Sequence, residues 1–183
     1  MACAVLARVR LVTTALVLVI PSVAQRPCPA DLSATAPADR KVQVHAFQQA
    51  LTSSPFYKEL LHRAGRPLAC EMGLNDGALK LSYSFRGKAS LESQSDPGSE
   101  SIAQRMQVRG MTVNAAMALL KRAEKDAFGQ DGCGIAWAHP AEEVAGEQAG
   151  SREVVYRGDA CNCQARLVYA GKSLVALILR SAC

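Results

Sequence analysis

Few residues in this chain could do chemistry, and the nearest thing to a motif is Cys161-Asn162-Cys163. A thiolate is both a soft-metal ligand and the nucleophile of disulfide exchange, so a Cys-x-Cys pair points to either activity. The competing reading is structural. Cys28, Cys70, Cys133 and Cys183 supply further partners, and in an oxidising compartment an even set of cysteines reads as a disulfide framework. That reading is preferred for all six. Six cysteines allow 15 pairings, and spacing alone does not choose among them.

His139-Pro140-Ala141-Glu142-Glu143 offers an imidazole and two carboxylates, the material of an acid/base pair or a metal site. Pro140 breaks the helix that would put His139 and Glu142 on one face, and no second histidine is near. Solvated loop residues are the simpler reading, so no catalytic residue, metal or cofactor is assigned. Just upstream lies Gly132-Cys133-Gly134-Ile135-Ala136-Trp137, which holds the only tryptophan. Tryptophan is enriched at binding hot spots and is also an ordinary core anchor. Residues 130–150 carry five glycines or prolines after Gly129, namely Gly132, Gly134, Pro140, Gly146 and Gly150, and are expected to form a long ordered loop. Loops of that length in compact domains usually carry function. Trp137, His139, Glu142 and Glu143 are therefore the candidate binding residues.

Several chemistries are disfavoured outright. The chain has no Gly-rich phosphate loop, no Gly-x-Ser-x-Gly elbow and no His-Glu-x-x-His helix. His45 and His62 fall on expected helices without the partners of a nucleophilic triad.

The N-terminus argues for export. Arg8 and Arg10 precede an apolar run from Leu11 to Ile20 and the small-residue stretch Pro21-Ser22-Val23-Ala24, which is the build of a cleavable signal peptide over residues 1–24. The run of ten is half the roughly 20 residues that span a bilayer. No permanent membrane anchor is expected. Beyond residue 24, 19 Lys and Arg face 16 Asp and Glu, a surplus of three spread without a basic block. That does not argue for nucleic acid.

The elements that must position these residues follow from periodicity and punctuation. Residues 25–38 are an irregular, Pro-rich lead-in tied by Cys28, and residues 39–183 form a single domain. Asp39 should cap a first helix, and Ser54-Pro55 should open a second that Gly65 ends. From Leu79 to Phe85 the apolar period becomes two, and Gly87-Lys88 predicts a two-residue type II′ hairpin into 89–94. Ile102, Met106 and Val108 suggest a third strand. Thr112 should cap a helix whose apolar positions are Val113, Ala116, Met117, Leu120, Ala127 and Phe128. Strands are expected at 153–157, 163–170 and 173–180, the last two joined by Gly171-Lys172 with Ala170 facing Ser173. Extrapolated, that register brings Cys183 within reach of Cys161 or Cys163, the preferred disulfide. Helix, cysteine and a Gly-Lys hairpin recur in both halves, but cysteine-to-turn intervals of 17 and 38 residues weigh against a duplication.

The fold class expected is α+β: antiparallel hairpins with two or three α-helices packed on one face, stapled by disulfides. The function expected is that of an exported, periplasmic or extracellular, non-catalytic protein that binds another exported protein, of the inhibitor or immunity type. The alternatives are an exported enzyme using thiol-disulfide or metal chemistry at Cys161, Cys163 and His139, or a structural component of the envelope.

Overall fold

The computed structural model describes residues 28, 31–75, 78–95, 102–129, 132–146, 149–160 and 162–181. The expected signal peptide, Cys161 and Cys183 lie outside these.

Two short 3-10 turns, Leu32–Thr35 and Ala38–Arg40, lead into α1 (Lys41–Ser53). Asp39 sits inside the second turn, and α1 begins without a side-chain cap. The helix is instead tied from outside: the buried Gln48 side chain accepts from the Leu32 N–H at 2.7 Å. Helix α2 (Pro55–Ala64) forms as its sequence predicts. Ser54 Oγ accepts from the Tyr57 N–H, Pro55 occupies the first turn, and Gly65 ends the helix at φ 76°. Helix α3 (Val113–Phe128) is capped by Thr112 and ends at Gly129, φ 82°. Its buried side chains are Ala116, Leu119, Leu120, Ala123 and Glu124. Val113, expected in the apolar stripe, is instead exposed.

The strands are β1 (Ala69–Asn75), β2 (Ala78–Ser84), β3 (Ser90–Ser95), β4 (Ile102–Gln107), β5 (Glu142–Ala145), β6 (Ser151–Arg157), β7 (Gln164–Ala170) and β8 (Ser173–Ser181). They make one eight-stranded antiparallel sheet in the order β1-β2-β3-β4-β8-β7-β6-β5. Two four-stranded meanders thus meet at the β4–β8 pair, and each follows a helix, α2 or α3. The halves do repeat an architecture, though the two Gly-Lys turns are not equivalent within it: one joins the second and third strands of its meander, the other the third and fourth.

Strands β1 and β5 were not foreseen. Both are sheet edges, paired on one side only, and β5 carries Glu142 and Glu143, the kind of charge that blunts an edge. The expected loop over 130–150 is shortened accordingly. The first hairpin also differs from expectation. Ser84 faces Ser90, leaving Phe85 and Ala89 around a three-residue turn in which both Gly87 and Lys88 have positive φ, 70° and 62°. A two-residue turn would have shifted the register by one and set Tyr83 against Glu92. The observed register sets it against Leu91, and both are buried. In the second hairpin Ala170 does face Ser173, but a bulge after Val168 sets Val168 against Ala176.

Alternation along the strands divides the sheet into two faces. One carries Leu79, Leu81 and Tyr83 of β2, Leu91 of β3, Met106 of β4, Leu177 and Leu179 of β8, and Ala165 and Leu167 of β7. These share one core with Val44, Leu51, Phe56, Leu60, Leu119 and Leu120 of the helices. Tyr57 of α2 meets Tyr83 edge to face at 5.2 Å. The other face has its own small apolar cluster of Val168, Ala176 and Ile178, edged by Val175, drawn from β7 and β8 only.

Two disulfides fasten the ends of these elements. Cys28–Cys70 ties the lead-in to β1, and Cys133–Cys163 ties the segment after α3 to the β6–β7 connection. Cys163 is therefore not the partner of Cys183. The preference for that bond came from extrapolating a hairpin register, whereas the close neighbour of Cys163 is a loop that hairpin geometry does not reveal.

Candidate functional site

The segment that sequence singled out is organised by a residue that sequence passed over. Glu124 is a buried carboxylate on α3, one turn beyond Leu120 and so on the apolar stripe. Its Oε1 accepts from the N–H groups of Cys133 and Ile135 at 3.1 and 3.3 Å, and its Oε2 from the Trp137 indole N–H at 2.9 Å. Gly132 and Gly134 adopt positive φ, 61° and 72°, which lets the chain fold closely around the acid. A Cβ on Gly132 would lie 2.8 Å from Glu124 Oε1. The glycines flanking Cys133 thus have a structural cause. Trp137 is half-buried, tilted against Tyr156 at 5.7 Å between ring centroids, with the Lys121 ammonium 5.8 Å from its ring.

The other candidate residues do not converge. His139 is exposed. Glu142 pairs with Arg157 and Glu143 with Arg152 at 2.8 Å. As neighbours on β5, the two carboxylates point to opposite faces of the sheet, so the acidic patch suggested by their adjacency is split. Cys163 is a buried half-cystine, which removes it as a free thiol. Among the described residues, no group of three or more His, Cys, Asp and Glu could hold a metal ion.

A cavity of about 200 Å³ lies on α1, lined by His45, Gln48, Gln49 and Thr52, and two larger ones lie on the sheet face opposite Tyr83 and Leu177. One cavity of about 250 Å³ is lined by Lys88, Arg105, Gln107, Arg109 and Glu153 over a floor of Val168 and Ala176. A second, of about 240 Å³, is lined by Lys80, Glu92, Gln94, Arg105 and Arg180 beside Ile178. Arg105 borders both, and no residue of α1, α2 or α3 lines either. Cross-strand register explains the grouping: Glu92 faces Arg105, Arg105 faces Ile178, and Ala103 faces Arg180. On the β6–β7 side, the buried Glu153 carboxylate accepts from Arg166 Nη1 at 2.8 Å. Val155 is also buried on this face. Comparison with known proteins gives no guide. No protein-family model, curated protein or solved structure matches the chain. The sheet face must be read on its own chemistry.

The face combines the buried apolar residues Val168, Ala176 and Ile178, a buried Glu153 carboxylate paired to the part-buried Arg166, and a rim of long cationic side chains. Sequence reasoning missed Lys80, Lys88, Arg105, Arg109, Glu153, Arg166 and Arg180. The available signal was alternation itself, because Ile102 and Met106 on one face of β4 imply Ala103, Arg105 and Gln107 on the other.

Proposed function

We propose that this chain is an exported binding protein that acts on another exported protein by surface complementarity, in the manner of an inhibitor or immunity-type protein. In this reading the three helices cover one face of the sheet and leave the other as the docking surface. The observation that carries it is the face bearing Val168, Ala176 and Ile178, where apolar residues, a buried Glu153 carboxylate paired to the part-buried Arg166 and two cavities lie together with no helix residue among them. Antiparallel sheets commonly have one face on the core and one facing water, but the watery face is then polar throughout. Here its centre holds Val168, Ala176 and Ile178, already buried beneath the long side chains around them, so what the face offers a partner is the cationic rim and the two cavities. Two disulfides are in keeping with folding in an oxidising compartment. No helix among the described residues is long and apolar enough to cross a membrane.

The mechanism follows from rigidity. An extended sheet braced by its helix-side core offers a surface that pays little ordering entropy on binding, so occlusion needs no rearrangement. The docking surface thereby moves from the 130–150 segment, where the acids are ion-paired and Trp137 is held by Glu124, to the sheet.

Photo-crosslinking in the native host tests this. A benzoylphenylalanine is placed at Gln94 on the proposed surface, at Val42 on α1 and at Ala138 in the loop; Val42 and Ala138 are both exposed. A discrete adduct from Gln94 alone supports the reading. Adducts only from Val42 or Ala138 refute it. Export is tested by the N-terminus of the protein recovered outside the cytoplasm, expected at Gln25.

A further inference from the structure

Charge is distributed on the proposed docking surface in a way that specifies its partner. The two cavities are lined by five cations, Lys80, Lys88, Arg105, Arg109 and Arg180, and by two carboxylates, Glu92 and Glu153. Both carboxylates are already engaged, Glu92 with Lys80 at 3.3 Å and Glu153 with Arg166 at 2.8 Å. Apart from Arg105, which has its own interactions, the lining keeps three cations that neither carboxylate engages, Lys88, Arg109 and Arg180, against a surplus of three for the whole chain beyond residue 24. A surplus that looked dispersed in sequence is concentrated on one concave face.

Resting on the docking reading above, we infer that the partner presents an acidic protein segment, with Asp or Glu side chains entering the two cavities. Clefts of one charge sign with low-dielectric walls focus the field and steer a complementary partner. At about 250 and 240 Å³, each cavity has room for an Asp or Glu side chain. Nucleic acid would call for stacking platforms as well as cations, and no aromatic residue lines either cavity.

The test uses the full exported chain, labelled with ¹⁵N, and three probes: octaglutamate, octaglutamine and an oligothymidylate of eight nucleotides. Octaglutamate at low salt is expected to shift the amides of β4 and β8 around Arg105 and Arg180, to leave α1 unmoved, and to lose its effect in 0.5 M NaCl, about a 4 Å screening length. The paired variant Arg109→Gln/Arg180→Gln removes one exposed cation from each cavity. It is expected to weaken octaglutamate by about two- to thirtyfold, while its circular dichroism stays unchanged. Equal shifts with octaglutamine, tighter binding of the oligothymidylate, or shifts confined to the helices would overturn the inference. A Gln94 adduct whose partner segment lacks Asp and Glu would also overturn it while leaving the docking surface standing. Adducts only at Val42 or Ala138 would remove the docking surface itself.

Discussion

Changing Glu124 to Gln separates the structural role of the 132–137 segment from any role in binding. Oε1 of the acid holds two backbone N–H groups and Oε2 holds the indole N–H of Trp137. A glutamine keeps the carbonyl oxygen for the two backbone donors but sets an NH₂ against the indole N–H, donor against donor. The loss is one charge-assisted hydrogen bond, worth ~1.5–3 kcal/mol, together with the penalty of two facing donors, so Glu124→Gln is expected to cost about 2–4 kcal/mol. Glu124→Ala leaves all three donors without an acceptor and is expected to cost ~3–5 kcal/mol, a large part of the 5–15 kcal/mol that holds a typical domain together. The assay is urea unfolding followed by far-ultraviolet circular dichroism, arranged as a double-mutant cycle with Trp137→Phe. In the phenylalanine background the glutamine no longer faces a donor, so the cost of Glu124→Gln should fall by at least ~1 kcal/mol. A Glu124→Gln protein within 0.5 kcal/mol of the parent, roughly the error of additivity, or a cycle with no coupling, would refute the assignment of Glu124 as the organiser of this segment.

Two further outcomes test the packing. A methyl on Gly158 would run into the Cys133 carbonyl oxygen and lie 3.1 Å from Cys163 Cβ, and the disulfide between those residues prevents either from yielding. Gly158→Ala should therefore cost ~1–3 kcal/mol, read as a lowered urea midpoint, whereas Gly73→Ala, whose new Cβ comes no closer than 4.0 Å to Lys80 Cβ, should be close to neutral. Burial raises the Tyr83 hydroxyl to about 12, from 10 in the unfolded chain, so its stabilising effect is whole below pH 10 and is lost as pH rises from 10 to 12. At pH 11 the loss should reach about 1 kcal/mol, seen as a shallower alkaline decline in Tyr83→Phe than in the parent; parallel declines would contradict it.

How much of this was legible in the sequence depended on how local the determining physics was. Ser54-Pro55, Thr112, Gly65 and Gly129 fix helix ends through their own backbone and side-chain chemistry, and α2 and α3 lie where those residues put them. The alternation of Leu79, Leu81 and Tyr83 fixes β2 because period two suits only a half-buried strand. Edge strands β1 and β5 escaped because their residues carry weak patterns and become strands only by pairing with a neighbour. The turn at Gly87-Lys88 was recognisable, but its length was decided by which register buries Leu91 beside Tyr83.

The site shows the same division more sharply. Composition set the number of cysteines and the charge surplus, and residue order set the absence of common catalytic motifs, because these are properties of the chain read along its length. Tertiary structure decided that Cys163 bonds Cys133, since a disulfide depends on approach in space rather than spacing along the chain. It likewise put Glu142 and Glu143 on opposite faces of one strand, and turned Glu124 from a helix acid into the holder of Trp137. Above all, it gathered Lys80, Lys88, Arg105, Arg109 and Arg180, up to a hundred residues apart in sequence, onto one sheet face. Pairing of β2, β3 and β4 brings Lys80, Lys88, Arg105 and Arg109 together, and the joining of the two meanders at β4 and β8, set by burial of Met106 against Leu177 on the opposite face, adds Arg180.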